Sequence, residues 1–405
     1  MIRCTVGVMA YNEAQNIQHA LNAVLAQELS TVDIVEVLVM ASGCTDDTVP
    51  LANAVARDFP IVRVVAESTR SGKAAAIKQL MAMAQGEVVV LVGADTLPEP
   101  GAIEQLVGPF ADATVGMTGA RVVPLNVPDR WLGFAVQMLW HVHHHLALRR
   151  PKLGEMVAFR NIIDDFPEDT STDEPAIEAL VVAKGYRLVY TPDAVVYNRG
   201  PERADEFLNQ RRRVFAGQVR LAMRYGYFTS SLSVRHVLPL VFEALGSYPR
   251  FLPWTMAAMA VELWARLLGL SDALRGREDV VWRMVDSTKS VVTTAEHPLT
   301  LISVRWAPGT LDGMSFLNDL RRHSEPAGSV FWWDATKGEI LLFVGGQSPI
   351  EWFEERVAAA TREHVRPRPV YSNTASKVSV SWVKPADTQQ LVECRLVKFT
   401  TPAVS

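Results

Sequence analysis

The chain has little cysteine, no surplus of charge of one sign and no low-complexity tract, and each lack removes a class of protein. Cys4, Cys44 and Cys394 lie far apart in 405 residues, which fits neither a disulfide framework nor a zinc pattern. That usage suits a reducing, cytosolic compartment. Lys and Arg number 40 against 44 Asp and Glu, so no general electrostatic case exists for nucleic-acid binding, although local basic patches can still hold phosphate. The opening Met1-Ile2-Arg3-Cys4-Thr5-Val6 runs directly into a strand-like segment, with neither the charged start nor the cleavage site of a secretory leader. The catalytic part is therefore expected at the cytoplasmic side. What is present is an ordered composition, 49% apolar and 21% charged, in a chain too long for one core. Two or more domains are expected.

The first 120 residues alternate short apolar runs with helical spacing. Strands are predicted over Thr5–Met9, Ile34–Met40, Val62–Ala66 and Glu87–Val92, with helices over Glu13–Leu29, Thr48–Arg57 and Lys73–Ala84. Such alternation with near-continuous apolar strands predicts an α/β fold, a mostly parallel, Rossmann-like sheet covered on both faces. Ligands of such sheets bind beyond the carboxyl ends of the strands. Polar loops follow at that edge: Tyr11-Asn12-Glu13, Ser42-Gly43-Cys44-Thr45-Asp46-Asp47, Arg70-Ser71-Gly72-Lys73 and Gly93-Ala94-Asp95-Thr96. One polar loop means little, because turns are polar anyway; four at one edge describe a ligand site. A carboxylate such as Asp95 at a strand end can hold a hard divalent cation that also bridges phosphates.

The runs Val8-Met9-Ala10-Tyr11-Asn12-Glu13, Ser42 to Thr48, Gly72-Lys73-Ala74-Ala75-Ala76 and Ala94-Asp95 resemble, in order and spacing, the opening motifs of glycosyltransferase family 2. Farther on, Gly154 to Arg160 is similar to the family's acceptor-side loop, and Thr172-Asp173-Glu174 to its acidic catalytic motif. Gln210-Arg211-Arg212-Arg213-Val214 is similar to the QxxRW motif of membrane-associated members. The resemblance spans about residues 1–290. It implies a GT-A fold, a nucleotide-diphosphate sugar donor (UDP being commonest), inversion at the anomeric carbon and a divalent cation, Mg2+ or Mn2+. It places Ala10, Tyr11, Glu13, Ser42, Gly43, Asp46, Gly72, Lys73, Ala94, Asp95, Gln210 and Arg213 around the donor, with Asp95 on the metal. It gives Glu174, beside Asp173, the role of general base toward an acceptor hydroxyl. Arg213 and Lys73 would neutralise the leaving diphosphate.

The sequence departs from the family at several positions. The DxD triplet is Gly93-Ala94-Asp95, without its first carboxylate; an acidic pair before the second-strand glycine is Ala41-Ser42; and Val214 replaces Trp. The missing metal ligand has to come from elsewhere, and Asn198 after Val195–Tyr197 is one candidate. Each residue also has an ordinary reading. Glu174 suits a solvated helix start, Lys73 an ordinary first-turn lysine, and Gln210–Arg213 a basic helix face or an attraction to anionic headgroups. His141, His143, His144 and His145 invite a metal reading, and 141, 144 and 145 share one helix face; the neighbouring Phe134, Met138, Leu139, Trp140 and Leu146 favour an interfacial or acceptor-lining helix over a metal site.

Three regions follow: a glycosyltransferase-like domain over 1–230, an apolar helical segment over 231–288 and an α+β domain over 289–405. In the apolar segment, Val237–Phe242 and Phe251–Leu270 predict membrane association, as a tilted or re-entrant pair or as a helix lying at the surface. Pro253, Glu262 and Arg266 interrupt the second run, and an oligomer-forming helix is the alternative. Strands over Val181–Tyr190 and Ala194–Tyr197 are expected to flank a turn at Thr191-Pro192-Asp193. Beyond residue 288, strands predicted over Leu299–Trp306, Val330–Asp334, Glu339–Val344, Lys377–Trp382 and Leu391–Phe399, with helices over 311–323 and 350–364, follow an order that resembles a ferredoxin-like sandwich with one added strand. The functional expectation is transfer of a sugar to a lipid-linked or polysaccharide acceptor at the cytoplasmic face of a membrane, by a chain that forms no nucleic-acid complex and has a surface for homo-oligomerisation. A nucleotidyltransferase would need a Gly-rich loop where Tyr11-Asn12-Glu13 stands. A degenerate domain serving as membrane scaffold or nucleotide sensor is the third reading.

Overall fold

A computed structural model describes residues 1–126, 130–247 and 252–277, and beyond these six strands within 299–399. The chain divides into two compact units, Met1–Val291 and Val292–Ser405.

The first unit runs β1 (Ile2–Ala10), α1 (Ile17–Leu25), β2 (Val32–Ser42), α2 (Thr48–Asp58), β3 (Val62–Glu67), α3 (Lys73–Met83), β4 (Val88–Gly93), β5 (Thr96–Pro98), α4 (Ala102–Val107), β6 (Val115–Pro124), α5 (Trp131–Arg149), β7 (Val157–Arg160), α6 (Asp173–Ala183), β8 (Arg187–Asn198), α7 (Ala204–Tyr225), α8 (Val234–Ser247) and α9 (Leu252–Leu274). Its eight-stranded sheet has the order β3-β2-β1-β4-β7-β6-β8-β5. The β3, β2, β1 and β4 strands pair in parallel, as do β6 and β8, whereas β7 is antiparallel to both neighbours and β5 to β8. The parallel half buries both faces, as continuous apolar strands require. Val6, Val8, Val37 and Val90 pack with Ile17, Leu21 and Val55 on one side. Leu38, Met40, Val89 and Leu91 pack with Ile77, Leu80 and Ile177 on the other. The expected α/β architecture is present, with an antiparallel strand inserted between its halves.

Three local expectations are corrected. The helix after β1 begins at Ile17, because Asn12 adopts a left-handed φ of 52° and binds the Thr45 amide with Oδ1 at 2.8 Å, holding the loop open. Val181 and Val182 end a helix instead of starting a strand. β-Branched residues favour strands only where packing agrees, and Ile177 and Val181 share the buried face of α6. The Thr191-Pro192-Asp193 turn is an irregularity inside β8, where Ala120 pairs with Thr191 and Arg121 with Val195. Pro192 has no N–H to give to the ladder.

The apolar segment forms two helices, and among the described residues no helix is long and apolar enough to cross a membrane. The spanning form of the membrane expectation therefore fails, because α9 carries charge along one face and turns that face inward onto α7. Arg211 donates Nε and Nη2 to Glu262 at 2.8 and 3.1 Å, Arg266 Nε reaches the same carboxylate at 2.9 Å, and Arg212 Nη2 reaches Asp272 at 2.7 Å. The outward face holds Met256, Leu263, Trp264, Leu267 and Leu274, each more than half exposed. This reverses the usual amphipathic arrangement of a surface helix.

In the second unit the sheet order is β10-β11-β9-β14-β13-β12, for β9 (Leu299–Arg305), β10 (Val330–Asp334), β11 (Glu339–Gly345), β12 (Val370–Thr374), β13 (Lys377–Val383) and β14 (Leu391–Phe399), all pairs antiparallel. The five expected strands are there, and β12 was not foreseen. The expected helices over 311–323 and 350–364 lie outside the described residues.

Candidate active site

A cavity of 340 Å³ opens where β1, β2 and β4 end, bounded by the starts of α3 and α6 and by α5 and α7. Ala10, Tyr11, Glu13, Ser42, Gly72, Lys73, Asp95, Glu174, Gln210 and Arg213 all line it. The edge chosen by the topology rule is thus also where residues from distant motifs converge.

Gly72 precedes α3 with φ 98° and ψ 162°, a conformation open essentially to glycine alone. It sets Lys73 at the first helical position, from which Nζ donates to Glu174 Oε1 at 2.7 Å and lies 3.6 Å from Asp173 Oδ2. Both acids begin α6, where the helix dipole favours negative charge. Burial works to raise the Glu174 pKa, but the Lys73 ammonium overrides it and holds the carboxyl below its ordinary value. Asp173 is 1% exposed; burial and the Glu174 charge push it up to about 6, against the pull of Lys73 and Arg213. Glu174, which lines the cavity, can reach a ligand, whereas Asp173 is buried and does not line it.

Gly43, Asp46, Ala94 and Asp173 do not line the cavity, and each has a supporting place. A side chain at Gly43 would come within 2.5 Å of the Arg70 backbone nitrogen. Asp46 accepts from the Thr48 amide at 3.0 Å and the Ala14 amide at 3.1 Å, binding the first two strand-end loops together. Ala94 is buried and donates its N–H to Met9 at 2.9 Å. The Arg70 guanidinium lies 3.7 Å above the Tyr11 ring, a cation–π contact that closes the same side.

Gly93 explains the missing carboxylate in steric terms. A Cβ there would collide with Asp95 Oδ1, so a side chain at 93 would have to displace the Asp95 carboxylate from its present position. Among the described residues no group of three or more His, Cys, Asp or Glu is placed to hold a metal. Asn198, however, pairs in register with Thr96, the neighbour of Asp95, and its buried Oδ1 has no hydrogen-bond partner. A hard cation takes carbonyl and carboxylate oxygens and fills its remaining positions from a diphosphate. Asp95 and Asn198 fit such a cation on those terms.

Lys152, Glu155, His143 and Arg199 also line the cavity and were not among the predicted site residues. Lys152 and Glu155 belong to the loop before β7; Glu155 falls in the Gly154–Arg160 run that resembles the acceptor-side loop, whereas no motif marks Lys152. Glu155 has a left-handed φ of 58°, uncommon for a non-glycine residue and a signal that only coordinates reveal. Burial, then the charges of Asp95 and Glu174, push its pKa up to about 7. Six Lys or Arg and four Asp or Glu face the cavity, so its charge balance favours an anionic ligand.

Comparison with known proteins bears out the resemblance. Residues 5–157 match the family model Glycosyl transferase family 2. Glycosyltransferase AglD of Haloferax volcanii is 26% identical over 132 residues, 32% of this chain and 21% of that protein. Glycosyltransferase AglE of the same organism is 28% identical over 118 residues, 29% of this chain and 38% of that one. The chain thus matches well under half the length of either relative. Among solved structures, the mannosyltransferase PcManGT from Pyrobaculum calidifontis, in complex with GDP-Man and Mn2+, is similar with a TM-score of 0.48 and 24% identity, over 68% of this chain and 88% of that one. Glucosyl-3-phosphoglycerate synthase from Mycobacterium tuberculosis, with Mn2+ and UDP, gives 0.39 and 21% over 56% and 80%.

The raised Glu155 pKa has a direct consequence for stability. Its ordinary value is 4.5 and the folded value about 7, so the protonated carboxyl's contribution is full below 4.5 and is lost as pH rises through 7. Glu155→Gln, which keeps the neutral shape, should match the wild type in urea unfolding near pH 4.5. At pH 8 it should be more stable by on the order of 2 kcal/mol. Identical pH dependence of the two proteins would contradict the assignment.

Proposed function

We propose that this chain, whose residues 5–157 form a family 2 glycosyltransferase domain, moves a sugar from a nucleotide-diphosphate sugar, UDP-linked, to the hydroxyl of a lipid-linked or polysaccharide acceptor with inversion. The observation that carries the reading is the convergence of Asp95, Lys73, Glu174 and Arg213 on one cavity at the strand ends. Those four side chains come from four separate motifs and serve no common packing purpose.

The donor's diphosphate belongs at the strand-end side, near Asp95 and Asn198. A divalent cation held there would offset the charge that develops on the leaving diphosphate. Arg213 and Arg70 add fixed positive charge on that side, in a site that needs no reorganisation as charge moves. Glu174 takes the proton of the acceptor hydroxyl as its oxygen bonds to the anomeric carbon, and the bond from that carbon to the diphosphate oxygen breaks on the opposite face. Inversion follows from that line of attack. Lys73 holds Glu174 ionised and aimed, so the base is present over the whole neutral range.

The face of α9 supports a membrane-surface setting for the reaction. A continuous exposed stripe of Met256, Leu263, Trp264 and Leu267 suits a helix lying in the headgroup region, its charges turned back into the protein. This supports a surface association with the cytoplasmic leaflet, where a lipid-linked acceptor would be found. The scaffold or sensor reading draws on one observation, the absence of a carboxylate at Gly93.

Calorimetric titration with UDP, GDP and CDP, with and without Mn2+, tests the donor site. One nucleotide should bind in a metal-dependent way, with affinity falling about tenfold or more in Asp95→Asn; absence of binding by all three sinks the proposal. For the membrane face, wild type should co-sediment with vesicles containing anionic lipid, and the double variant Leu263→Ser, Leu267→Ser should stay in the supernatant. A wild type that ignores vesicles but forms a dimer broken by the same variant would make the face an oligomer contact instead.

A further inference from the structure

Lys152 and Arg211 also line the cavity, and the sugar-transfer chemistry described above gives them no part. Lys152 reaches no carboxylate within ion-pair distance among the described residues. The acids around it are engaged elsewhere: Glu174 with Lys73, Glu262 with Arg211 and Arg266, and Glu178 with the Leu153 amide at 2.8 Å and the Tyr227 hydroxyl at 2.9 Å. Arg211 stands close enough for the two positive charges to oppose each other, and burial together with that repulsion lowers the Lys152 pKa to about 8. Beside them His143 is 7% exposed, and its Nε2 has no hydrogen-bond partner. Burial and the charges of Lys152 and Arg211 keep this imidazole neutral.

Two mutually repelling cations and an unsatisfied ring nitrogen on one cavity wall are costly when empty. A compact anion relieves all three at once. Val136, Leu139, Trp140 and His143 follow helical spacing on α5 and all line the cavity. The wall therefore passes from apolar to polar as it approaches the cations. Arg211 also spends only Nε and Nη2 on Glu262, which leaves its other guanidinium nitrogen for a ligand.

We infer that Lys152, Arg211 and His143 form an anion subsite for the acceptor, which takes a phosphate group attached to an otherwise less polar molecule. This deepens the glycosyl-transfer reading and rests on it: with the donor's diphosphate at Asp95, the acceptor's own phosphate is the group that Lys152 takes. The subsite fixes the acceptor's orientation, so Lys152 is a specificity-determining residue.

The test is binding of two phosphate monoesters to the full chain, sn-glycerol 3-phosphate in solution and a short-chain prenyl phosphate in detergent, each with and without saturating nucleoside diphosphate. At least one should bind in the presence of the nucleotide. Lys152→Gln should weaken it by about tenfold or more while nucleotide affinity stays within about twofold, and Lys152→Arg should restore most of the loss. The prenyl compound binding alone points to a lipid phosphate; binding of both points to a soluble one or to recognition of the phosphate itself. Failure of both to bind, competition of both with the nucleotide, or indifference to Lys152→Gln overturns the subsite. If no nucleotide binds to any form, the donor reading fails by itself, and the nucleotide-free arms still decide the role of Lys152.

Discussion

The Lys73 ammonium joins the two halves of the site. It starts α3, behind the parallel strands that present Tyr11, Ser42 and Asp95, and it grips Glu174 at the start of α6, which packs beneath the other half of the sheet. Asp173 Oδ2 lies 3.6 Å from the same Nζ, so two carboxylates share one ammonium. Lys73 holds Glu174 ionised despite its burial, and removing it would leave two adjacent acids without compensation. Gly72 makes this possible, because no other residue enters the helix from its backbone conformation without strain.

Charge placement also explains the C-terminal helices of the first unit. In a membrane-crossing helix, Glu262, Arg266 and Asp272 would each carry a solvation penalty of about 2.5–3.5 kcal/mol at mid-bilayer. Here they face α7 and find partners, so the polar content that argues against crossing is the same content that docks α9 on the protein. The basic run Gln210–Arg213 consequently divides its work. Arg212 holds α9 and does not line the cavity, Arg211 does both, and Gln210 and Arg213 line the cavity. A helical repeat of 3.6 residues makes such a division natural for adjacent positions.

Much of the donor side was legible in the sequence. Strand-end position and motif spacing brought Tyr11, Ser42, Lys73, Asp95 and Glu174 to one cavity, and the sheet has the expected alternation. Motif membership did not separate ligand-facing residues from those that shape the loops: Asp46 and Gly43 belong to the same run as Ser42, yet they secure the loops. The opposite wall was legible in outline, through the Gly154–Arg160 run and the helix around Leu139 and Trp140. Lys152 carried no such mark, and only tertiary packing brings it beside His143. Val181 and Val182 misled for a related reason, since the buried face of α6 needs Val181 and the helix carries the exposed Val182 along with it. The inward charge of α9 was equally hidden, because an ion pair four residues apart does not say which way it points.

Turnover is the most direct measure of the central claim, that Glu174 acts as base beside a donor anchored near Asp95. A panel of nucleotide-diphosphate sugars, incubated with the protein and a lipid extract, reports by release of nucleoside diphosphate. The account predicts that one donor is consumed by the wild type and that Glu174→Gln slows consumption by about 100-fold or more while binding the same nucleotide equally well. Equal turnover by Glu174→Gln would contradict it.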